Sequence, residues 1–128
     1  MAVTKLIFTD TYNAEADLSA KQYRFMKNSG DGGCTVCAAV TDKLIGVLQN
    51  TPEEDQEAVV MHIGVSKVVA GADLTAGETV GTDGNGAAVP YVHGTDTTKY
   101  AAGVCRVGAA SGGIAEVTLG CLPPTRLA

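Results

Sequence analysis

From Lys21 onward the chain is a series of short strand-like runs, each cut off by a turn signal. The spacing of about 8 to 12 residues is that of an all-β fold. "KQYRFMK" alternates, with Tyr23 and Phe25 on one face, and "NSGDGG" breaks it. "CTVCAAV" and "KLIGVLQ" follow, then the turn "TPEED". "AVVMHIG" sets Val59, Met61 and Ile63 on one face and Val60 and His62 on the other, and "VSKVV" is a further short run. "AGADLTAGETV" reads as a turn and then a strand. "TDGNG" carries Asp-Gly and Asn-Gly, the residues that adopt φ > 0 in hairpin turns. Pro90 makes "AAVPYV" an edge or irregular strand, because proline donates no ladder hydrogen bond. "YAAGVCRV" and "IAEVTLG" complete the set.

One stretch also fits a helix. In "TPEEDQEAVVMHI", Thr51 could be an N-cap, Pro52 the first helical position and Glu54 the third. The β-branched Val59, Val60 and Ile63 oppose this, and so does an internal match. "TDKLIGVLQNTPEEDQEAVVMHIG" and "TDTTKYAAGVCRVGAASGGIAEVTLG" both begin Thr-Asp, carry Gly46-Val47 or Gly103-Val104, and end an apolar run at Gly64 or Gly120. The second has no helical character, so both are expected to be hairpins, with their one-residue difference in the turn. Two such hairpins can pair in a closed barrel or sandwich that leaves no long bare edge. The expected fold class is all-β, a small β-barrel or sandwich with an extended N-terminal arm.

The expected organisation is an arm at 1–20, a β-barrel domain at 21–122 and a short tail at 123–128. The first 20 residues hold one apolar piece, Leu6-Ile7-Phe8, in a polar setting, and read as an arm or a poorly packed segment. With 128 residues, 45% of them hydrophobic, the chain can bury a modest core. A net charge of −5 with scattered basic residues argues against nucleic acid as a partner. No stretch approaches a membrane-spanning length, and no signal peptide is visible, so synthesis in the cytoplasm and free thiols are expected.

Chemistry-bearing residues do not assemble into a catalytic pattern. Cys34-x-x-Cys37 lacks the βαβ setting of a redox pair, and Cys105 and Cys121 do not complete a zinc site; all four read as small buried hydrophobes. His62 and His93 stand apart, with His62 read as a partly exposed sheet residue, and a Cys34–His62 dyad has no motif behind it. Glu53, Glu54, Asp55 and Glu57 read as a solvated turn rather than a calcium loop. "GTDGNG" has no following Lys-Ser or Lys-Thr and is a hairpin turn, not a phosphate loop. No catalytic residue, cofactor or metal ligand is expected. Gly46, Gly64, Gly71, Gly77, Gly84, Gly86 and Gly103 read as structural turn glycines.

The runs "LSAKQYRFMK", "IGVLQNTPEEDQEAVVMHIGVSKVVAGADLTAGETVGTDGNGAAV" and "AAGVCRVGAASGGIAEVTL" resemble the capsid decoration, or cement, proteins of tailed bacteriophages. The shared order is Gly-Val-Leu-Gln-Asn, a turn, a Val-rich strand ending in Gly, a Val-x-Ala-Gly to Asp-x-x-Gly run, and a second Gly-Val strand. The acidic turn "NTPEEDQEA" and the cysteines depart from that pattern. The resemblance implies a β-tulip barrel on the outside of an assembled head, bound to the major capsid protein as a homotrimer at three-fold or quasi-three-fold sites. It implies neither nucleic-acid nor membrane binding. Leu6, Ile7, Phe8 and Tyr12 would then be the capsid-binding residues of the arm. Competing readings are another virion part, such as a tail-tube or head-completion protein, a small ligand-binding barrel, and a biotinyl- or lipoyl-type carrier. In the last, Lys43 lies on the wrong side of the glycine stretch.

Overall fold

The computed structural model describes residues 5–92, 94–120 and 125–126, the first three and last two of these by backbone alone. The described residues form strands and connections without a helix. The strands are β1 (Lys5–Ala14), β2 (Phe25–Asn28), β3 (Gly33–Val36), β4 (Leu44–Leu48), β5 (Glu57–Val69), β6 (Thr79–Thr82), β7 (Ala88–Pro90), β8 (Tyr100–Ala101), β9 (Gly103–Val107), β10 (Ile114–Gly120) and β11 (Thr125–Arg126). The expected all-β barrel is what forms, but Lys5–Ala14, expected in an arm outside it, is one of its strands because β1 pairs with β5 along its length.

Nine strands run in the order β1-β3-β2-β4-β5-β10-β9-β6-β7, and β5 also pairs back to β1. That closure makes a five-stranded barrel, β1-β3-β2-β4-β5. The remaining strands nearly make a second, β5-β10-β9-β6-β7, which returns to the end of β5 through the parallel bridge Ala70↔Ala88.

The two barrels repeat each other residue for residue. Met26↔Val36, Lys27↔Thr35 and Asn28↔Cys34 in one become Val80↔Pro90, Gly81↔Val89 and Thr82↔Ala88 in the other. Tyr12↔Ala58 and Asn13↔Glu57 become Val68↔Ala115 and Val69↔Ile114. Connections recur as well. The Leu18 amide donates to Pro52 O and the Leu74 amide to Ala109 O, each at 2.9 Å. Asp55 at φ 66 bonds Ala14 O, and Gly112 at φ 86 bonds Ala70 O. The two halves of β5 thus play different parts: its first half is the last strand of unit 1, and its second half is the β1 of unit 2.

This corrects three readings of the sequence. The "AVVMHIG" and "VSKVV" runs are one strand, because Gly64 is paired on both sides (with Leu6 and with Leu119) and does not end β5. The turn lengths of the two matching hairpins are equal, since Val47↔Met61 and Leu48↔Val60 match Val104↔Thr118 and Val117↔Cys105; the extra residue before Gly64 therefore lies beyond Met61. Gly46, Gly64 and Gly103 sit inside strands, while Gly71, Gly77, Gly84 and Gly86 lie in turns and bends.

Packing follows the duplication. Ala14, Leu18, Met26, Cys34, Ile45, Leu48, Ala58 and Val60 fill the first barrel. Their counterparts Ala70, Leu74, Val80, Ala88, Ala102, Cys105, Ala115 and Val117 belong to the second core. Four of these counterparts are smaller, and a core at crystal-like density cannot leave that volume empty. Phe25, Cys37, Leu44, Val47 and Met61, from the other face of unit 1, complete the same cluster. That is why β4 is buried at every position and why "LIGVL" shows no alternation. The end of β1 and the segment after it are packed rather than loose, with Ala14 and Leu18 fully buried.

Candidate interaction surface

The residues nominated for binding lie on β1. The side chains of Leu6 and Ile7 are outside the described set, as are His93 and Cys121. Phe8 is 42% exposed and Tyr12 is half-buried. The structure brings these two together around a third residue, His62 of β5. Its ring centroid is 5.3 Å from that of Phe8 and 5.7 Å from that of Tyr12.

His62 is not the partly exposed sheet residue expected, but 2% exposed. It faces into the first barrel's end, where β1 bulges around Phe8 and lays aromatic rings over it. Its Nδ1 lies 2.7 Å from Ile45 O, and its Nε2 lies 3.0 Å from Tyr12 Oη. A carbonyl only accepts, so Nδ1 carries a proton; in the neutral ring Nε2 then accepts and the Tyr12 hydroxyl donates. The counterparts in unit 2 are Leu119 for His62 and Val68 for Tyr12. One barrel end is closed by a polar pair and the other by hydrocarbon.

Burial, then the charge of Asp10, raises the Tyr12 hydroxyl above its ordinary range. Burial, then Glu15, pushes the Cys34 thiol up to about 11, so it is protonated near neutral pH and a poor nucleophile. Cys34 and Cys105 are buried free thiols, and Cys37 is buried as well. Among the described residues, no group of three or more His, Cys, Asp or Glu side chains could hold a metal ion.

Beside Tyr12 runs an open groove of about 250 Å³, lined by Thr11, Tyr12, Asn13, Asp55, Gln56 and Glu57. Asn13 Nδ2 lies 3.4 Å from Asp55 Oδ1 and 3.5 Å from Glu15 Oε1, tying β1 to the acidic turn. The surface along β1 therefore carries the exposed Phe8 ring and, further along the strand beside Tyr12 and Asn13, a set of carboxylates. The sequence reading picked out Phe8 and Tyr12 but missed His62 as their partner. It also missed "ADLSA" (16–20) recurring as "ADLTA" (72–76), the plainest signal of the duplication.

No family model matches the chain, and no curated protein matches it. Among solved structures, the chain is similar to "The crystal structure of head fiber gp8.5 N base in bacteriophage phi29", with a TM-score of 0.66 and 20% sequence identity over 88% of this chain and 93% of that one. The likeness is one of fold: this duplicated β architecture is shared, over nearly its whole length, with the base of a phage head fibre.

Proposed function

We propose that the protein is a structural component of a bacteriophage head that binds the outer surface of the assembled shell as a decoration protein. The observation that carries this reading is the fold shared with a head-fibre base over 88% of the chain. The decoration-type order of motifs supports it independently, and so does a duplicated, tightly closed barrel whose polar groups are spent on structure. In this reading the function is non-enzymatic, the partner is the major capsid protein, and the chain stiffens the shell against internal pressure. Copies gather as trimers at three-fold or quasi-three-fold sites, where weak contacts add through multivalency. The contacting surface is β1, with Phe8 and Tyr12, and Leu6 and Ile7 from the same strand.

The test is co-sedimentation of the purified protein with undecorated mature shells and with unexpanded procapsids. Saturable pelleting with mature shells is expected, and a preference over procapsids would mean that expansion creates the site. Absence of pelleting with both would overturn decoration and favour another head or tail role. Native mass spectrometry of the free protein checks the trimer.

A further inference from the structure

Among the described residues, the outer edge of β1 is a long strand edge near the proposed surface that its own barrel leaves largely uncovered. Toward β5, β1 is paired from Lys5 to Asn13. On its other side it meets β3 only at Asn13↔Gly33 and Ala14↔Cys34. The Asn13 amide donates outward to Gly32 O at 2.9 Å. Strand groups alternate with period two, so Thr11 and Thr9 aim their backbone N–H and C=O the same way.

The duplication shows what such an edge takes. In unit 2 the counterpart of Thr9 is Val65, and its outer edge is covered by an antiparallel strand, through Lys5↔Val65 and Leu6↔Gly64. Unit 1 has no such cover among the described residues. Instead its edge is guarded. Thr11 N donates to the carboxylate of its own neighbour, Asp10 Oδ1, at 2.8 Å. Two register shifts, on either side of Phe8, bend the strand. Bulges and charges on an edge are the usual defence against indiscriminate strand pairing.

The guard also sets a rule for entry. An incoming strand needs the Thr11 N–H, and must take it from a carboxylate. A neutral or acidic strand would displace a charge-assisted bond and leave Asp10 beside it without compensation. A strand with Lys or Arg facing Asp10 gives the carboxylate a new partner while its backbone takes the amide. We infer that the β1 edge from Thr9 to Asn13 is a docking site for an extended antiparallel polypeptide segment that carries a basic side chain opposite Asp10. Pairing of β1 with β1 of a second copy is disfavoured by the same chemistry, because it brings two Asp10 carboxylates together. The inference goes beyond the decoration reading and holds whatever the source of the strand.

The probe is the synthetic peptide Lys-Val-Thr-Val-Lys-Val-Thr-Val, with Glu-Val-Thr-Val-Glu-Val-Thr-Val as its acidic counterpart, each added to the full chain. The readout is hydrogen exchange at the Thr9 and Thr11 amides. The basic peptide is expected to slow both by about tenfold or more at saturation, and the acidic one to leave them unchanged. Asp10→Asn should erase the discrimination. Thr11→Pro, at an edge position whose N–H is outside the β1–β5 ladder, should abolish protection at Thr9 while the far-ultraviolet spectrum stays that of the parent. Equal protection by both peptides, protection by neither, or unchanged binding to Thr11→Pro would each overturn the assignment. So would protection of Thr11 without peptide that grows with protein concentration, which would make the edge a contact between copies. Shell binding that persists in Thr11→Pro leaves the decoration reading standing while removing this edge from it.

Discussion

Gly46 and Gly103 show how one residue type can be dictated by a single opposing atom. A Cβ on Gly46 would lie 2.1 Å from Met61 O, and one on Gly103 would lie 1.9 Å from Thr118 O. Backbone atoms cannot yield as a side chain can. Gly112 is different: its φ is 86, but a Cβ there would meet nothing within 4 Å. Gly103→Ala is therefore expected to destabilise by about 2 kcal/mol or more through forced strand separation, and Gly112→Ala by only about 1 kcal/mol of backbone strain. Urea titration of both variants orders them, and an equal cost would contradict the close approach. His62 gives a second prediction at this scale. His62→Leu copies Leu119 but strands the Tyr12 hydroxyl and Ile45 carbonyl, at an expected cost of about 2 kcal/mol. Adding Tyr12→Phe should recover part of it, so a double-mutant cycle should show coupling between the two positions. Additive losses would mean the bond from Tyr12 to His62 contributes nothing. The histidine was legible as a strand residue but not as a buried one, because its cover comes from β1, more than one element away along the chain.

The two β-turns after β4 and β9 differ in almost every residue yet hold the same geometry. Gln56 N bonds Glu53 O at 3.1 Å, and Gly113 N bonds Ala110 O at 2.9 Å. Asp55 holds its positive φ of 66 without being glycine, where its counterpart Gly112 adopts 86 freely. Replacing Glu53, Glu54, Asp55 and Gln56 by Ala-Ser-Gly-Gly from the second turn should therefore preserve the β4–β5 register and change stability by no more than about 1 kcal/mol, the scale of a glycine's unfolded-state effect set against relieved strain. Amide exchange along β5 checks the register, and a shifted β5 would refute the equivalence. The same swap removes three carboxylates beside the Tyr12 groove. The hairpins themselves were legible: β-branched Val59, Val60 and Ile63 and the matching Gly-Val pairs outweighed the capped-helix signal of Thr51, Pro52 and Glu54. The continuity of β5 was not, because Gly64 looks like a terminator until both of its neighbours are known.

At the scale of the whole molecule, the two barrels are not two domains. They share β5, and Phe25, Val47 and Met61 of unit 1 sit in the same cluster as Val80, Ala88 and Val117 of unit 2. The second core is not complete without unit 1, and β5 belongs to both units, so unfolding is expected as one cooperative transition, with the calorimetric and van't Hoff enthalpies equal. Two separated heat-capacity peaks would contradict this. Phe25→Ala should cost about 3–5 kcal/mol and lower that single transition without splitting it.

The order of strands along the chain, their hairpin turns and the apolar triplet within β1 were all determined by local patterns: period-two alternation, glycine at positive φ, and proline at the end of β7. These act within a few residues, which is why they can be read from a sequence. The closure of the first barrel by β1, the burial of β4 on both faces and the aromatic cover over His62 were decided by the tertiary structure. Each depends on pairing between segments far apart in the chain, such as Phe8 with Ile63 or Ala70 with Ala88. The register of such pairs is chosen by total core volume and by backbone approach, quantities that exist only once both barrels are assembled.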